Sequence, residues 1–379
     1  MPLTQTEFRK HFSKLQDRIY VNHAAWSPLS NPARMAMETF MQLRQEGAPD
    51  FWPRVLEELK ALRGNYAKLI GTVPQRIAMM SNTVQGMNVL ADGLDWRSGD
   101  EVILYEHEFP ANVMPFLNLA RRGVSVRWLK ASDGVLSLER FLERVTPQTR
   151  LISVSSVQYL TGFRVDLKAL GAFCHERDIL LSVDAIQSVG VLATDVMALG
   201  VDFLAAGGHK WLMSPLGSGF CYLTEDLQAR LTPGIMGYTG LEHPEDFDNF
   251  EQPLSEDARR YELGAPTALS RIGARAATDL LLQAGLSTVE THVLRLNEIL
   301  LNALESAPYY QPYDFPAARR SGILVLSHRD PERNPGIFEA LMADRVNLSM
   351  RGGNLRIAPH YLNTTEELQR LAGKLTQLA

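Results

Sequence analysis

The sequence predicts an α/β fold with a mostly parallel sheet covered by helices on both faces. Two observations support this prediction. Short apolar segments such as 101–105 (EVILY), 150–154 (RLISV) and 179–183 (ILLSV) alternate with segments of helical periodicity that are ten or more residues long. Such alternation is typical of parallel strands joined by helical crossovers. After about residue 252 the pattern changes to long helices with few strands, which predicts a second, smaller α+β domain.

The predicted first domain spans residues 18–252, and helix-boundary signals support its elements. Residues 32–46 are predicted to form a helix because Pro32 suits its first turn and Gly47 follows its end. The other predicted elements of this domain are helices at 53–70, 111–122 and 166–177 and strands at 101–105, 124–129, 150–154, 179–183, 202–206 and 219–223.

The predicted second domain spans residues 253–379, and residues 1–17 are expected to pack with it. Its predicted elements are helices at 267–283, 287–304, 335–343 and 364–378 and strands at 322–326 and 355–358. The preceding segment 232–253 is rich in Gly, Pro and acidic residues, which predicts a surface excursion between the two domains.

Composition argues against several classes of protein. The chain has 379 residues, and 38 basic against 43 acidic side chains leave a formal charge of −5. This acidic excess disfavours nucleic-acid and membrane surfaces, which need clustered basic residues. Two cysteines cannot form a disulfide framework, so we expect a cytoplasmic protein. The spacing of His and Cys is not typical of zinc sites, and we expect no metal.

Three segments with chemical potential follow predicted strands, and ligands of parallel sheets bind beyond the carboxyl ends of the strands. In LSVDAIQ, Asp184 ends an apolar strand, where a carboxylate needs a cationic or donor partner. In DFLAAGGHKW, Lys210 follows a strand and two glycines, and a lysine in a partly apolar site becomes a nucleophile. In MMSNTVQGM, Asn82 and Thr83 open a helix whose free N–H groups suit a phosphate.

Each segment alone also has an ordinary interpretation. Asp184 can cap the next turn, Lys210 can be an exposed lysine, and Asn82 can be a plain helix cap. Together, however, they match the needs of pyridoxal 5′-phosphate. That cofactor requires a phosphate anchor, an acid at its ring nitrogen and a lysine for its aldehyde.

At these positions the sequence resembles the class V aminotransferase family of fold-type-I pyridoxal phosphate enzymes, which includes cysteine desulfurases, kynureninases and isopenicillin-N-epimerase-like proteins. The resemblance covers nearly the whole chain. It is carried by the segments YVNHAAWSPLS (20–30), SNTVQGMN (81–88), EHEFPANVMPF (106–116), VDAIQSVGVLATDV (183–196), GVDFLAAGGHKWLMSPLGSGFCYL (200–223) and LRIAPHYLNTTEEL (355–368). It implies a large domain with a mostly parallel sheet between helices, plus a smaller α+β domain.

The resemblance implies roles around the cofactor. Lys210 would form the internal aldimine and move the proton at the substrate Cα, and Asp184 would pair with the pyridinium nitrogen. Gln187 would hydrogen-bond the phenolic oxygen of the ring. The expected phosphate contacts are His209, Asn82 and Thr83, and the expected ring-stacking residue is Phe109, with His107 as the second choice.

The resemblance also implies roles on the substrate side. Arg356 matches an arginine that binds the substrate carboxylate, and Arg351 could add to its charge. Asn22, His23 and Tyr238 are expected to line the same region. Partners would be a small amino acid or keto acid and a second copy of the chain, because such sites lie between the subunits of a homodimer.

Two positions depart from the family pattern. Gly207 stands where many relatives carry a serine that donates to the phosphate. Ala265 stands where relatives often carry a threonine that reaches the neighbouring subunit's phosphate. Both departures leave open which groups supply the missing donors.

Residues 322–360 contain no cysteine, which disfavours desulfuration through a persulfide. The simplest expectation is an aminotransferase. The alternatives are a lyase of C–S or C–C bonds, a kynureninase-like hydrolase, an epimerase, or, more remotely, a non-catalytic binding subunit of the same fold.

Overall fold

A computed structural model describes residues 2–15 and 17–379 of the chain. Its helices are α1 Gln5–Lys10, α2 Asn31–Glu46, α3 Phe51–Leu69, α4 Thr83–Gly93, α5 Met114–Leu117, α6 Leu138–Leu142, α7 Leu167–His175, α8 Glu225–Arg230, α9 Ala268–Ala284, α10 Leu286–Ala303, α11 Asn334–Ala343 and α12 Thr365–Gln377. Its strands are β1 Ile19–Tyr20, β2 Ile77–Met80, β3 Glu101–Tyr105, β4 Ser125–Leu129, β5 Thr149–Ser155, β6 Leu180–Asp184, β7 Phe203–Gly207, β8 Gly219–Leu223, β9 Tyr309–Tyr310, β10 Leu324–His328, β11 Val346–Asn347, β12 Ser349–Arg351 and β13 Asn354–Ile357.

Within the described residues, seven strands form the central sheet in the order β2-β8-β7-β6-β5-β3-β4. The pairs within β7-β6-β5-β3-β4 are parallel, whereas β8 runs antiparallel to both β7 and β2. Two antiparallel pairings in succession make β2 run in the same direction as β7. The carboxyl ends of β2, β7, β6, β5 and β3 therefore lie on one edge of the sheet.

The sheet is buried on both faces, as the near-continuous apolar strand sequences predict. Strands β6, β7 and β8 are fully buried along their length. On one face, α4 packs closely on β7 because Gly86 has no side chain. A Cβ at Gly86 would lie 2.8 Å from the Cβ of Ala205. Helix α4 therefore begins directly above the sheet edge at which the strands end.

The C-terminal part of the chain has its own antiparallel sheet, β12-β13-β10-β9, with α10, α11 and α12 packed around it. The N-terminal strand β1 pairs in parallel with β11, and Asn22 bridges Ala358. Side chains of residues 19 and 21 lie in the same apolar cluster as β10 and β13. Residues 19–22 thus pack with the C-terminal part. Phe8 and Phe12 lie in the larger apolar cluster of the sheet unit, and the expectation for residues 1–17 stays a prediction.

Helix α9 belongs by its packing to the large sheet unit, since it contacts α2 and α3 and contributes to their apolar cluster. The boundary expected at residue 252 stays a prediction, and the packing of α9 suggests a different one. We propose that the smaller unit begins at α10, after Gly285, and includes residues 18–22 from the N-terminus. The left-handed φ of +80° at Gly285 allows the sharp turn between α9 and α10.

Two local expectations differ from the structure. The continuous helix expected over 111–122 is broken into the 3-10 segments Pro110–Asn112 and Asn118–Arg122 around the short α5. Pro115 lacks the N–H that a continuous helix would need there. The predicted elements also omit strand β2, because its four residues are too short to show a period. None of the described helices is both long and apolar enough to cross a membrane.

Candidate active site

The shared strand edge holds a cavity of about 330 Å³. It lies where β2, β6 and β7 end and where β12 and β13 approach the sheet unit. The residues that line it are Ala24, Ala25, Asn82, Thr83, Val84, Phe109, Ala111, Tyr159, Asp184, Ile186, Gln187, His209, Lys210, Arg351 and Arg356. The three segments singled out in the sequence therefore meet in one cavity, although MMSNTVQGM lies about a hundred residues before the other two in the chain.

Lys210 reaches the cavity from the loop after β7, and its side chain is only 7 % exposed. The backbone before it can turn tightly because Gly208 has no side chain. A Cβ at Gly208 would lie 2.6 Å from Ser218 Oγ and 2.8 Å from Ser214 Cβ. Burial lowers the pKa of Lys210, although Asp184 partly opposes this shift. A larger fraction of the amine is therefore neutral and able to act as a nucleophile or base.

Asp184 is the last residue of β6 and is 1 % exposed. Its Oδ1 accepts a hydrogen bond from the Ile186 N–H at 3.0 Å. Among the described residues, its buried Oδ2 has no hydrogen-bond partner. Burial raises the pKa of this carboxyl group. An orphaned carboxylate oxygen facing a cavity fits a ligand that brings a cationic N–H to it.

Helix α4 begins at the cavity and presents the N–H groups of its first turn. Asn82 caps the helix, with Oδ1 accepting from the Gln85 N–H at 2.9 Å. Thr83 Oγ1 accepts from the Gly207 N–H at 2.9 Å, which ties the helix to the end of β7. His209 also lines this part of the cavity, and burial lowers its pKa. Neutral donors and a helix N-terminus are suited to an anion such as a phosphate.

The Gly207 departure has a steric explanation in this structure. A Cβ at Gly207 would lie 3.3 Å from Thr83 Oγ1 and 3.2 Å from Ile186 Cδ1. A serine at this position would therefore make tight contacts with the threonine hydroxyl and with Ile186, which would have to shift slightly. Thr83 is positioned as the hydroxyl donor of this cradle.

The structure brings Phe109, and not His107, to the cavity. The Phe109 ring centroid lies 5.3 Å from Lys210 Nζ, and the ring meets Tyr159 edge-on at 5.4 Å. His107 is exposed and packs against Tyr105 outside the cavity lining. An aromatic face beside the lysine favours Phe109 as the residue that covers a planar ring.

Arg356 enters the cavity from β13 and is 2 % exposed. Its Nε donates to Ser349 Oγ at 3.1 Å, and its Nη1 donates to the Tyr159 carbonyl at 2.9 Å. Burial lowers the pKa of Arg356 to about 10, with a further contribution from Arg351. The guanidinium group is thus held in one orientation with its remaining donors available to a planar anion.

The sequence analysis missed Tyr159, Glu108 and Trp211. Tyr159 and Glu108 follow β5 and β3 at the same sheet edge, so the strand-end rule applied to every strand would have found them. Glu108 is buried and accepts from the Ser155 N–H at 2.8 Å and from Gln158 Nε2 at 2.8 Å. It is a second carboxylate near Asp184, and burial raises its pKa.

Trp211 positions Gln187 through a buried hydrogen bond. The indole Nε1–H donates to Gln187 Oε1 at 2.8 Å, and Gln187 Nε2 donates to the Ala24 carbonyl at 3.0 Å. Because an indole N–H only donates, it fixes which end of the amide is oxygen. The second N–H of Gln187 is therefore the group left for the cavity. His360 Nε2 donates a hydrogen bond to the Trp211 carbonyl at 2.9 Å.

Three residues expected on the substrate side do not line the cavity. His23 is fully buried behind it, packed against Trp211 and His360. The side chain of Asn22, whose backbone bridges Ala358, is also outside the cavity lining. Tyr238 lies on the 232–253 excursion, where it packs against Phe247. The fold draws residues 22 and 23 toward the small unit because β1 pairs with β11.

Comparison with known proteins agrees with this geometry. The family model "Aminotransferase class-V" matches residues 19–364. The chain belongs to the class V aminotransferase family. A protein of Methanothermobacter thermautotrophicus named "Probable cysteine desulfurase" is 30 % identical over 395 residues, covering 98 % of each chain. The Bacillus subtilis protein named "Uncharacterized aminotransferase YcbU" is 30 % identical over 366 residues, covering 96 % of this chain and 95 % of that one.

Solved structures share the fold of this class V aminotransferase family member. A mutant of C-DES with glycine covalently linked to its pyridoxal phosphate superposes with a TM-score of 0.90 and 23 % identity, covering 98 % of this chain and 99 % of that one. A complex of the cystine C–S lyase C-DES with cysteine persulfide has a TM-score of 0.88 and 24 % identity, covering 96 % and 99 %. These likenesses confirm the predicted fold type I.

Class V aminotransferases are pyridoxal phosphate enzymes, which confirms the cofactor predicted from the sequence. The cavity fits this cofactor on its own observations. The orphaned Asp184 Oδ2 matches a protonated ring nitrogen, the start of α4 suits the phosphate, and Lys210 stands beside the Phe109 ring. The individual contacts are proposals from this geometry.

Replacing Trp211 by phenylalanine is expected to change the environment of the bound cofactor through Gln187. Loss of the N–H leaves Gln187 Oε1 unpaired, so the free energy of unfolding should fall by about 1–3 kcal/mol and the amide should lose its fixed orientation. The pH at which the visible spectrum of the holoenzyme changes should shift. Spectrophotometric pH titration and urea unfolding measure the two effects.

Trp96→Phe is a matched control for this variant. Trp96 Nε1 donates to the Ala91 carbonyl at 2.7 Å in an apolar cluster away from the cavity. The Trp96→Phe variant should lose a similar free energy of unfolding, and the pH titration of its visible spectrum should not change. An unchanged titration in Trp211→Phe would show that Trp211 does not orient Gln187.

Proposed function

We propose that this chain is a pyridoxal phosphate enzyme that eliminates a sulfur substituent from Cβ of a small α-amino acid, without a protein thiol as sulfur carrier. One observation carries the proposal: Lys210, Asp184 and Arg356 line one cavity, whereas both cysteines lie elsewhere in the core. The relatives named cysteine desulfurase and the fold likeness to a cystine C–S lyase support chemistry at a Cβ–S bond.

The side chains around the cavity can carry the steps of such a reaction. Arg356 would bind the α-carboxylate and so place the Cα–H bond beside Lys210. When bound, the cofactor supplies an electron sink for the pair released at Cα. Lys210 Nζ takes the proton from Cα. The Cβ–S bond then breaks with its electrons on sulfur, which takes up a proton and leaves as a thiol or sulfide. Water hydrolyses the sulfur-free unsaturated amine that remains to pyruvate and ammonia.

Both cysteines are unsuited to carry a persulfide. Cys174 and Cys221 are buried, in α7 and β8 respectively. Burial raises the pKa of Cys174 to about 12 and raises the pKa of Cys221 as well. A persulfide carrier must be an accessible thiolate that can approach the substrate sulfur. The sulfur is therefore proposed to leave as a free thiol or sulfide, without transfer to a cysteine of the protein.

Transamination is the second candidate, and the relative named as an aminotransferase favours it. It would begin with the same removal of the Cα proton by Lys210, and the bound cofactor would supply the acceptor for the amino group while water releases the carbon skeleton as a keto acid. Side-chain contacts in the cavity decide between the two paths.

A panel of amino acids distinguishes these reactions. The holoenzyme is mixed with L-cysteine, L-cystine, S-methyl-L-cysteine, L-alanine and L-aspartate, and pyruvate, sulfide or thiol, and pyridoxamine phosphate are measured. Pyruvate with an equal amount of thiol or sulfide supports elimination. Stoichiometric pyridoxamine phosphate with a keto acid, without thiol release, replaces it by transamination. If the purified protein does not bind added pyridoxal phosphate, both proposed reactions are contradicted.

Removing both thiols is expected to leave elimination intact. The Cys174→Ala/Cys221→Ala variant should retain kcat/KM within about two-fold, because neither thiol reaches the cavity. It should lose only stability, on the order of 1–2 kcal/mol, for the buried volume removed. A folded double variant that no longer releases sulfur would show that a protein thiol takes part. Thiol assays and chemical unfolding on the same preparation separate the two results.

We also propose that the chain works as a homodimer. Large apolar side chains are exposed, including Trp26 directly after the cavity residue Ala25, Trp52 on α3, and Phe250 on the excursion. Exposed apolar surface of this kind is typical of subunit interfaces. Light scattering of the purified holoenzyme tests this proposal, and a fully active monomer would contradict it.

A further inference from the structure

The hairpin that carries Arg356 also carries a second arginine toward the same cavity. Strands β12 and β13 are joined by Gly352 and Gly353, whose φ angles of +55° and +78° form the tight two-residue turn that twisted strands prefer. Arg351 is the last residue before that turn and lines the cavity with Arg356. Only glycine adopts both conformations without strain, so the turn holds Arg351 at a set position.

The strand register places the two arginines on one face of the hairpin. Ser349 is directly opposite Arg356, and Arg351 is two residues farther along β12. Side chains two residues apart in a strand point to the same face. Arg351 and Arg356 are thus diagonal neighbours, about 7–8 Å apart at this kind of position. Their mutual repulsion is visible in the pKa of Arg356, which burial lowers and Arg351 lowers further.

Among the described residues, neither guanidinium group is paired with a carboxylate. Arg356 donates to Ser349 Oγ and the Tyr159 carbonyl, and Arg351 donates to the Met350 carbonyl at 2.8 Å. The carboxylate that lines the cavity is Asp184, at the end of β6. Once Asp184 faces the ring nitrogen of the cofactor and the start of α4 holds its phosphate, the two arginines of the hairpin remain for the substrate. A single α-carboxylate balances one of them.

We propose that Arg351 binds a second negatively charged group, carried by the side chain of the substrate. The inference rests on the proposed function and names its substrate class: α-amino acids with a carboxylate or sulfonate attached beyond the β-sulfur. Arg356 holds the α-carboxylate in the buried part of the cavity. Arg351, which is exposed at the mouth, meets the side-chain anion.

Arg351→Gln tests the assignment with a matched pair of substrates, S-carboxymethyl-L-cysteine and S-methyl-L-cysteine. They share the leaving atom and differ in the side-chain charge. The variant should lower kcat/KM for the carboxymethyl compound at least about ten-fold, the value of one charged hydrogen bond, and leave the methyl compound within about two-fold. Arg329→Gln, which removes an exposed arginine outside the cavity lining, should change neither.

A binding measurement makes the test independent of turnover. Calorimetry of the holoenzyme should show tighter binding of succinate than of butyrate, and Arg351→Gln should abolish that difference. An equal loss for both substrates would assign Arg351 to the α-carboxylate, and a loss of cofactor affinity would assign it to the cofactor. No loss for either would make it a solvated surface residue. Each of these three results overturns the proposal for Arg351. If only the proposed elimination reaction is wrong, the preference of the holoenzyme for succinate over butyrate can still be measured.

Discussion

Lys210→Ala is expected to lower kcat/KM by at least about 10³-fold, because the same amine holds the cofactor and moves the Cα proton. Proton transfer by a positioned group contributes about 10²–10⁴-fold, and covalent capture of the cofactor adds to this. The variant should also lose the visible absorbance band that depends on the covalent link. Steady-state kinetics and an absorbance spectrum of the purified variant measure both losses.

The cofactor pocket should survive this change, because its other contacts come from separate elements. Asp184 stands at the end of β6, and Thr83 stands at the start of α4. Added pyridoxal phosphate should therefore bind non-covalently and leave on dialysis. Lys168→Ala removes an exposed lysine on α7 and should change nothing. If Lys210→Ala kept the absorbance band of the covalent link, another amine would bind the cofactor, and the role proposed for Lys210 would be wrong.

Arg356→Gln should raise KM for the amino-acid substrate by roughly 10²-fold while the visible spectrum of the holoenzyme stays unchanged. A charged hydrogen bond contributes about 1.5–3 kcal/mol, and a guanidinium offers two of them to a carboxylate. Because Arg356 is proposed to place Cα beside Lys210 as well as to bind the carboxylate, kcat should also fall, by less than KM rises. Kinetics over a wide substrate range separate the two parts.

Arg356 is also buried, so its loss must be separated from a folding defect. Its replacement leaves Ser349 Oγ and the Tyr159 carbonyl without their donor, which lowers stability by about 1–3 kcal/mol. Arg356→Lys keeps the charge but not the planar fork, so it should restore part of the stability and little of the affinity. Full affinity in the lysine variant would show that charge alone binds the substrate.

Local sequence signals predicted most elements within a few residues. Helix α2 ends at Gly47, whose φ of +64° matches its predicted role as a stop signal. Strands β3 and β8 occupy the predicted residues. The broken helix around Pro115 was wrong, and short elements such as β2, β12 and α8 were not predicted, because so few residues show no periodic pattern.

The cofactor could be predicted from the sequence because Asp184 and Lys210 are chemically costly residues at strand ends, and the family was suggested by the resemblance of segments such as 183–196 and 200–223. A buried carboxylate and a buried amine each need a partner, so finding both in apolar surroundings points to a shared ligand. The class V family match and the fold likeness confirm that inference. The roles of the single residues remain predictions for the variants described above.

Other features of the site could not be predicted, because they depend on contacts between distant segments. The sequence context already favoured Phe109 over His107 as the ring-stacking residue, but the 5.3 Å approach of its ring to Lys210 Nζ depends on how the loop after β3 turns. The displacement of His23 from the cavity follows from the pairing of β1 with β11, which lies near the other end of the chain. Neither the conformation of that loop nor the pairing of β1 with β11 produces a periodic pattern in the sequence near the residue concerned.

By itself, then, the sequence determined the α/β class, the strand-end residues and the cofactor chemistry, because these depend on local periodicity and on the cost of burying charge. Only the tertiary structure decided how closely the Phe109 ring approaches the lysine, how Trp211 orients Gln187, and that two arginines share one face of a hairpin. Those features arise from strand register and from packing across the chain, and a one-residue change of register would move each side chain to the opposite face.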